Sequence, residues 1–191
     1  MSAVPAESAS HWTIADVELL SRTEGKRYEI VEGELFVSAQ PHWDHQRTCS
    51  KLIFELSRWV AENGDGEVVA APGVLFDDEN AVAPDVVWVS AERLKLILGE
   101  DGKLHRAPDL AVEVLSPGTM NARRDREAKR RLYSTRGVRE YWIVDWQAKS
   151  MQIYRREQAA LKLALTLLAE DELTSPLLPG FKVKLARLFP E

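Results

Sequence analysis

The chain has 191 residues, 45% hydrophobic and 29% charged, a balance that suits one globular unit with a sizeable core and argues against disorder along its length. A single cysteine, Cys49, excludes an intramolecular disulfide and any zinc site built from several thiolates, and it reads as a core residue. A formal net charge of -5 excludes a protein that is basic throughout, so affinity for nucleic acid would need a local patch.

Residues 1–12 read as a flexible polar leader without the charged and apolar regions of a signal peptide, and 13–191 as a single domain. No apolar run approaches the roughly 20 residues that cross a bilayer, which predicts a cytoplasmic protein with no membrane partner. Thr13 to Leu20 predicts a short helix capped by Thr13, with Asp16 closing a capping box. Arg27 to Ser38 alternates about Glu32-Gly33, with Tyr28, Ile30, Leu35 and Val37 apolar, which predicts a hairpin turning at the glycine. From about His42 to Asn63, the residues His45, Cys49, Leu52, Leu56 and Trp59 recur at three- and four-residue steps, the pattern of a helix with one buried face.

Glu67 to Ala71, Val74 to Asp77 and Asp85 to Ser90 read as strands punctuated by Pro72-Gly73 and Pro84. Beyond a polar loop around Gly99 to Gly102, Asp109 to Leu115 is another strand. Asn121 to Arg136 predicts a helix stopped by Gly137, followed by strands at Glu140 to Trp146 and Met151 to Arg155. Leu161 to Leu168 alternates as a strand, although leucine and alanine favour helix. Pro176 and Pro179-Gly180 then break the chain before an apolar segment from Phe181 to Phe189. This order predicts an α/β (α+β) fold, a mixed central sheet flanked by helices, with an N-terminal helix and hairpin.

Asp85 opens one predicted strand and Glu113 lies inside another. If the two strands are neighbours about 4.8 Å apart, both carboxylates can meet on one ion, and oxygen ligands of this kind suit Mg²⁺ or Mn²⁺. Glu113 interrupts an otherwise apolar strand, and a buried carboxylate must be neutralised, paired or metal-bound. Asp109 shares its face but lies roughly 13 Å away at about 3.3 Å per residue, too far to share the ion. Lys129 falls on the same helical stripe as Asp125, Leu132 and Tyr133, so it either delivers its ammonium to a site or snorkels to solvent. The helix from 121 to 138 gathers seven basic side chains against Asp125 and Glu127, a phosphate-binding patch or an ordinary solvated face. His45 and Glu29 are possible auxiliary residues. His42 and His45 lack a third imidazole or thiolate at helical spacing, and Glu29, Glu32 and Glu34 are undecided between site and surface.

The blocks Tyr28-Glu29-Ile30-Val31-Glu32-Gly33-Glu34-Leu35, Ala83-Pro84-Asp85-Val86-Val87 and Ala107 to Pro117 around Val112-Glu113-Val114 occur in a fixed order. They are followed by Lys129, Tyr133, Gly137-Val138, Glu140 to Asp145 and Leu178-Pro179-Gly180-Phe181. In that order the chain resembles the Uma-type restriction endonuclease family, a branch of the PD-(D/E)xK nuclease superfamily. The resemblance implies a restriction-endonuclease-like core whose meander strands carry the metal-binding acids. The superfamily's lysine, two residues after the glutamate, is here Leu115, and the resemblance implies that Lys129 replaces it.

The leading expectation is therefore a Mg²⁺- or Mn²⁺-dependent endonuclease acting on DNA. Asp85 and Glu113 would hold the metal with the Val114 carbonyl, Lys129 would orient water or balance charge, and Arg123, Arg124 and Arg130 would contact phosphates. The resemblance implies a homodimer. Two rivals remain: an interaction module that kept the fold and lost the chemistry, and a hydrolase of small phosphorylated molecules.

Overall fold

The computed structural model describes residues 11–20, 25–116 and 123–190. Residues 1–10 of the expected leader, Pro117 of the resemblance block and the first two residues of the helix expected from Asn121 lie outside the described residues.

Helix α1 (Ile14–Leu19) begins as expected: the Thr13 hydroxyl accepts from the Asp16 N–H, and the Asp16 carboxylate accepts from the Thr13 N–H at 2.8 Å. Strands β1 (Arg27–Val31) and β2 (Glu34–Ser38) form the hairpin, with Val31 opposite Glu34 across a two-residue turn. Both turn residues have positive φ, 52° at Glu32 and 76° at Gly33, which is the conformation that makes glycine the favoured second residue. Helix α2 (Trp43–Asn63) is capped by the His42 ring, which accepts from the Asp44 N–H, and it ends at Gly64 in the left-handed conformation. Its inward face buries His45, Cys49, Leu52, Leu56 and Trp59, the stripe read from the sequence.

Next come β3 (Glu67–Ala70), β4 (Val74–Asp77), β5 (Asn80–Val82) and β6 (Val86–Val89), then α3 (Ala91–Ile97) and β7 (Leu110–Val114). Strand β5 and helix α3 were not expected. β5 has only three residues, too few for a period to register, and the Ser90 side chain makes no capping hydrogen bond that would mark the start of α3. Helix α4 contains a π-helical stretch, Arg124–Lys129, and continues as α-helix through Arg130–Arg136 to Gly137. Strands β8 (Glu140–Asp145), β9 (Ser150–Glu157), β10 (Ala160–Leu168), β11 (Glu172–Ser175) and β12 (Leu178–Lys184) complete the strands, before a 3-10 turn at Leu185–Leu188. Pro179-Gly180 therefore lies inside β12 rather than before it. That strand pairs only with β11, so a proline there need not remove a ladder hydrogen bond.

The central sheet runs β10-β9-β8-β7-β6-β3, and a smaller sheet runs β2-β1-β5-β4. Among the central pairs only β7 and β8 are parallel, so a crossover must connect them, and α4 lies within it. One face of the central sheet packs Leu110, Val112 and Val114 with Leu52, Leu56 and Trp59 of α2. The opposite face packs Ala111 and Leu115 with Leu132 and Tyr133 of α4 and with Val31 of the small sheet. This is the mixed α+β layout expected, and alternation along β7 puts Glu113 on the α4 face.

Candidate active site

The β6/β7 register sets Val86 opposite Val112, which carries Asp85 to the end of β7 beside Glu113 and Val114. There the Val114 N–H donates to Asp85 Oδ2 at 2.9 Å, His45 Nε2 lies 3.2 Å from the same oxygen, and Arg27 Nη1 donates to Oδ1 at 3.1 Å. Burial pushes the Asp85 carboxyl up, but the His45 hydrogen bond and charge, with Lys129 and Arg27, outweigh it and hold it at about 2.

Glu113 is 2% exposed, and Lys129 Nζ and the Tyr133 hydroxyl both donate to its Oε1 at 2.9 Å. Burial raises the Glu113 carboxyl to about 8 despite Lys129, and the charges of Asp125, Asp85 and Glu29 add to the rise. Lys129 is fully buried, so it does not snorkel. Its ammonium lies 2.8 Å from Glu29 Oε1, 2.9 Å from Glu113 Oε1 and 3.8 Å from Asp125 Oδ1. Burial opposes its charge, but these three carboxylates overcome the penalty and raise its pKa. Glu29 also accepts from the Ala83 N–H at 2.8 Å, tying the hairpin to the segment that leads through Asp85 into β6.

Four buried carboxylates, Glu29, Asp85, Glu113 and Asp125, thus face three permanent cations, Arg27, Arg124 and Lys129. One negative charge is left over. A proton on Glu113 or a bound cation would balance it. The cluster opens onto a cavity of about 240 Å³ whose lining includes Arg27, His45, Asp85, Glu113, Val114 and Arg124 but not Lys129. Oxygen donors at the mouth of an electronegative cluster fit a hard divalent cation.

The three predicted phosphate contacts separate. Arg124 turns inward to Glu29, Asp125 and the Ser38 hydroxyl, while Arg123 is exposed and pairs with Glu127 at 3.1 Å. Both line a second cleft of about 270 Å³ together with Arg131. Arg130 lies elsewhere, over the Tyr154 ring. The basic excess of this helix is also met from outside it, since Arg126, Arg131 and Arg136 pair with Asp145, Glu32 and Asp77. Asp109 stays out of the site: it accepts from the Ser90 N–H and hydroxyl at 2.9 Å and pairs with Arg139.

Sequence reasoning missed Arg27, Tyr133 and Asp125 as site residues. Signals existed for all three, because Arg27 shares a strand face with Glu29, and Asp125 and Tyr133 share the Lys129 stripe.

A mixed sheet with acids at the ends of two adjacent strands, backed by a buried lysine, defines a restriction-endonuclease-like fold. The family model described as "Uma2: Putative restriction endonuclease" matches residues 14–186, and the chain belongs to that family. A solved structure described as a putative nuclease belonging to DUF820, from Anabaena variabilis ATCC 29413, superposes with a TM-score of 0.74 at 18% identity, covering 93% of this chain and 97% of that one. The type IIG restriction endonuclease BpuSI gives a TM-score of 0.37 at 15% identity over 60% of this chain and 11% of that one, too weak a likeness to carry an argument. No curated protein matches the chain. No helix among the described residues is long and apolar enough to cross a membrane.

Proposed function

We propose that this protein is an endonuclease that hydrolyses DNA phosphodiesters with Mg²⁺ or Mn²⁺, and that Asp85, Glu113 and the Val114 carbonyl hold the ion. The observation that carries the reading is the convergence of Asp85 and Glu113 on one cavity, in a buried cluster of four carboxylates and three permanent cations. When bound, such an ion polarises a phosphoryl oxygen and acidifies a water. Asp85 enters the reaction ionised, fixed by Val114 and Arg27. Lys129 and Tyr133 hold Glu113 Oε1, so Oε2 is the oxygen with which Glu113 would hold the cation. Because its protons go to Glu29 and Glu113, Lys129 balances charge and positions Glu113 rather than touching water. Arg123 and Arg124, at the adjoining cleft, take phosphates of the strand, and Arg130 contacts the backbone farther along. The protein acts as one domain over 13–191, in the cytoplasm where DNA is found, and as a homodimer that cuts two strands.

A second reading, the same fold without the chemistry, draws support from Leu115 at the usual lysine position and from Lys129 standing behind Glu113 rather than lining the cavity. The deciding experiment offers plasmid, linear and single-stranded DNA with Mg²⁺ to the parent, Asp85→Ala and Lys129→Ala. Cleavage falling by about 10²-fold or more in Asp85→Ala is expected, the scale of one lost electrostatic contact in a transition state. Equal cleavage by all three proteins would reject the assignment, and tight DNA binding without cleavage would favour the second reading.

A further inference from the structure

Cys49 takes no part in the hydrolysis proposed above, yet it is the one buried thiol of the chain and it sits one helical turn from His45 on the inward face of α2. Its sulfur lies 3.6 Å from His45 Nδ1, and His45 Nε2 lies 3.2 Å from Asp85 Oδ2. A cysteine, histidine and aspartate in that order suggest a nucleophile, base and orienting acid. Burial removes that possibility: the thiol is 5% exposed, does not line the cavity, and has its acidity suppressed by its surroundings.

Metal chelation fits better. One ring nitrogen of His45, the Cys49 sulfur and one Asp85 oxygen lie within 4.8 Å of one another. Ligands about 2.0 to 2.3 Å from a tetrahedral ion stand roughly 3.3 to 3.7 Å apart, so side-chain closure of about 1 Å converts the group into a coordination triangle. Histidine and cysteine at i and i+4 point to one side of a helix, as helical metal-binding pairs must. His45 and Asp85 both line the cavity, which leaves a fourth position accessible to water. A mixed nitrogen, sulfur and oxygen set prefers a borderline ion such as Zn²⁺ over Mg²⁺, whose preference is for oxygen alone.

We propose that His45, Cys49 and Asp85 form a Zn²⁺-class metal site, separate in ligand chemistry from the hard-cation site but sharing Asp85 with it. Binding releases the Cys49 thiol proton to solvent and leaves a thiolate–metal bond, with no change of oxidation state. Occupancy withdraws Asp85 from the Mg²⁺ site, so Zn²⁺ should inhibit. That consequence rests on the nuclease reading, whereas the ligand set stands without it.

Co²⁺ titrated into the full-length reduced protein tests the site optically. The expected result is a near-ultraviolet thiolate-to-cobalt charge-transfer band, which only Cys49 can supply, together with intense visible bands of a tetrahedral ion, both displaced by Zn²⁺. His45→Ala and Asp85→Asn should each weaken Co²⁺ binding by about tenfold or more, whereas Glu113→Gln should leave the band in place. Absence of the band from the parent overturns the proposal. So does unchanged affinity in both His45→Ala and Asp85→Asn, which would indicate an isolated thiol. Cleavage assays then read the regulation: Zn²⁺ should suppress Mg²⁺-dependent cleavage at least tenfold more strongly in the parent than in Cys49→Ser, checked for native folding by circular dichroism. Equal suppression in both overturns the competition. Failure of the parent to cleave DNA refutes the nuclease reading and, with it, the inhibition, while the cobalt spectrum still decides the site.

Discussion

Replacing Lys129 with methionine removes the ammonium that touches both Glu29 and Glu113 while keeping most of the side-chain volume. Three carboxylates, with Asp125 the third, then lose a shared partner inside the protein. Breaking a buried ion pair from one side costs about 3 to 5 kcal/mol, because the remaining charge stays desolvated. For a chain of this size each kcal/mol lowers the melting temperature by about 2 to 4 °C, so Lys129→Met should melt roughly 6 to 20 °C below the parent. Thermal unfolding followed by circular dichroism at pH 8 measures the difference. The gap should narrow toward pH 6, since carboxylates that take up protons no longer need the ammonium. Adding Glu113→Gln to Lys129→Met should restore about 1 kcal/mol or more, the signature of a direct coupling. A loss under about 2 °C, constant with pH and unaffected by the second substitution, would refute the charge balance assigned to this cluster.

Three further outcomes follow from the same geometry. With Glu113 held at about 8, its ionisation competes with protons throughout the neutral range. Mn²⁺ affinity measured by calorimetry should therefore rise about tenfold per pH unit up to about pH 8, and a flat profile from pH 6 to 8 would remove Glu113 from the ligand set. The same raised value means that the native state holds the extra proton, so this group's penalty to metal-free stability grows as pH climbs from 4.5 to about 8. Asp85 carries the opposite sign: its value of about 2 lies below the ordinary 3.8, so its contribution is present above 3.8 and lost as pH falls toward 2. Asp85→Asn should cost about 2 kcal/mol at neutral pH, with the parent–variant gap in urea melts narrowing as pH falls from about 4 toward 2; a gap that widens there would contradict the assignment. Gly33→Ala should destabilise by about 1 to 2 kcal/mol, because φ at this position is 76° and the added carbon meets the His11 ring; an unchanged denaturation midpoint would refute the hairpin geometry.

Much of this molecule is legible in the sequence where one face of an element is apolar and the other is not. The α2 stripe, the Glu32-Gly33 turn and the strand nature of Leu161 to Leu168 all follow from such patterns. The sequence made the meeting of Asp85 and Glu113 conditional on their strands being neighbours, β6 and β7 do pair and both acids line one cavity, and the lone acid in β7 signalled that something had to neutralise it. What the sequence hid is the identity of partners distant along the chain. Glu29 meets Lys129 across 100 residues, and Arg126, Arg131 and Arg136 find acids on strands and turns far from their own helix. A local charge count therefore overstated the basic patch. Proline in β12 misled for a related reason, since only the topology reveals that this strand has a free edge.

The π-helical stretch of α4 fixes which residues can meet. On an α-helix, positions five apart diverge by about 140°, given 3.6 residues per turn, so Arg124 and Lys129 would look to different neighbourhoods. A wider turn closing between residues five apart brings them almost into line, and both reach Glu29. Deleting a single amino acid from this stretch would let the coil tighten to the ordinary pitch. The guanidinium and the ammonium would then part, although every atom of both side chains survived.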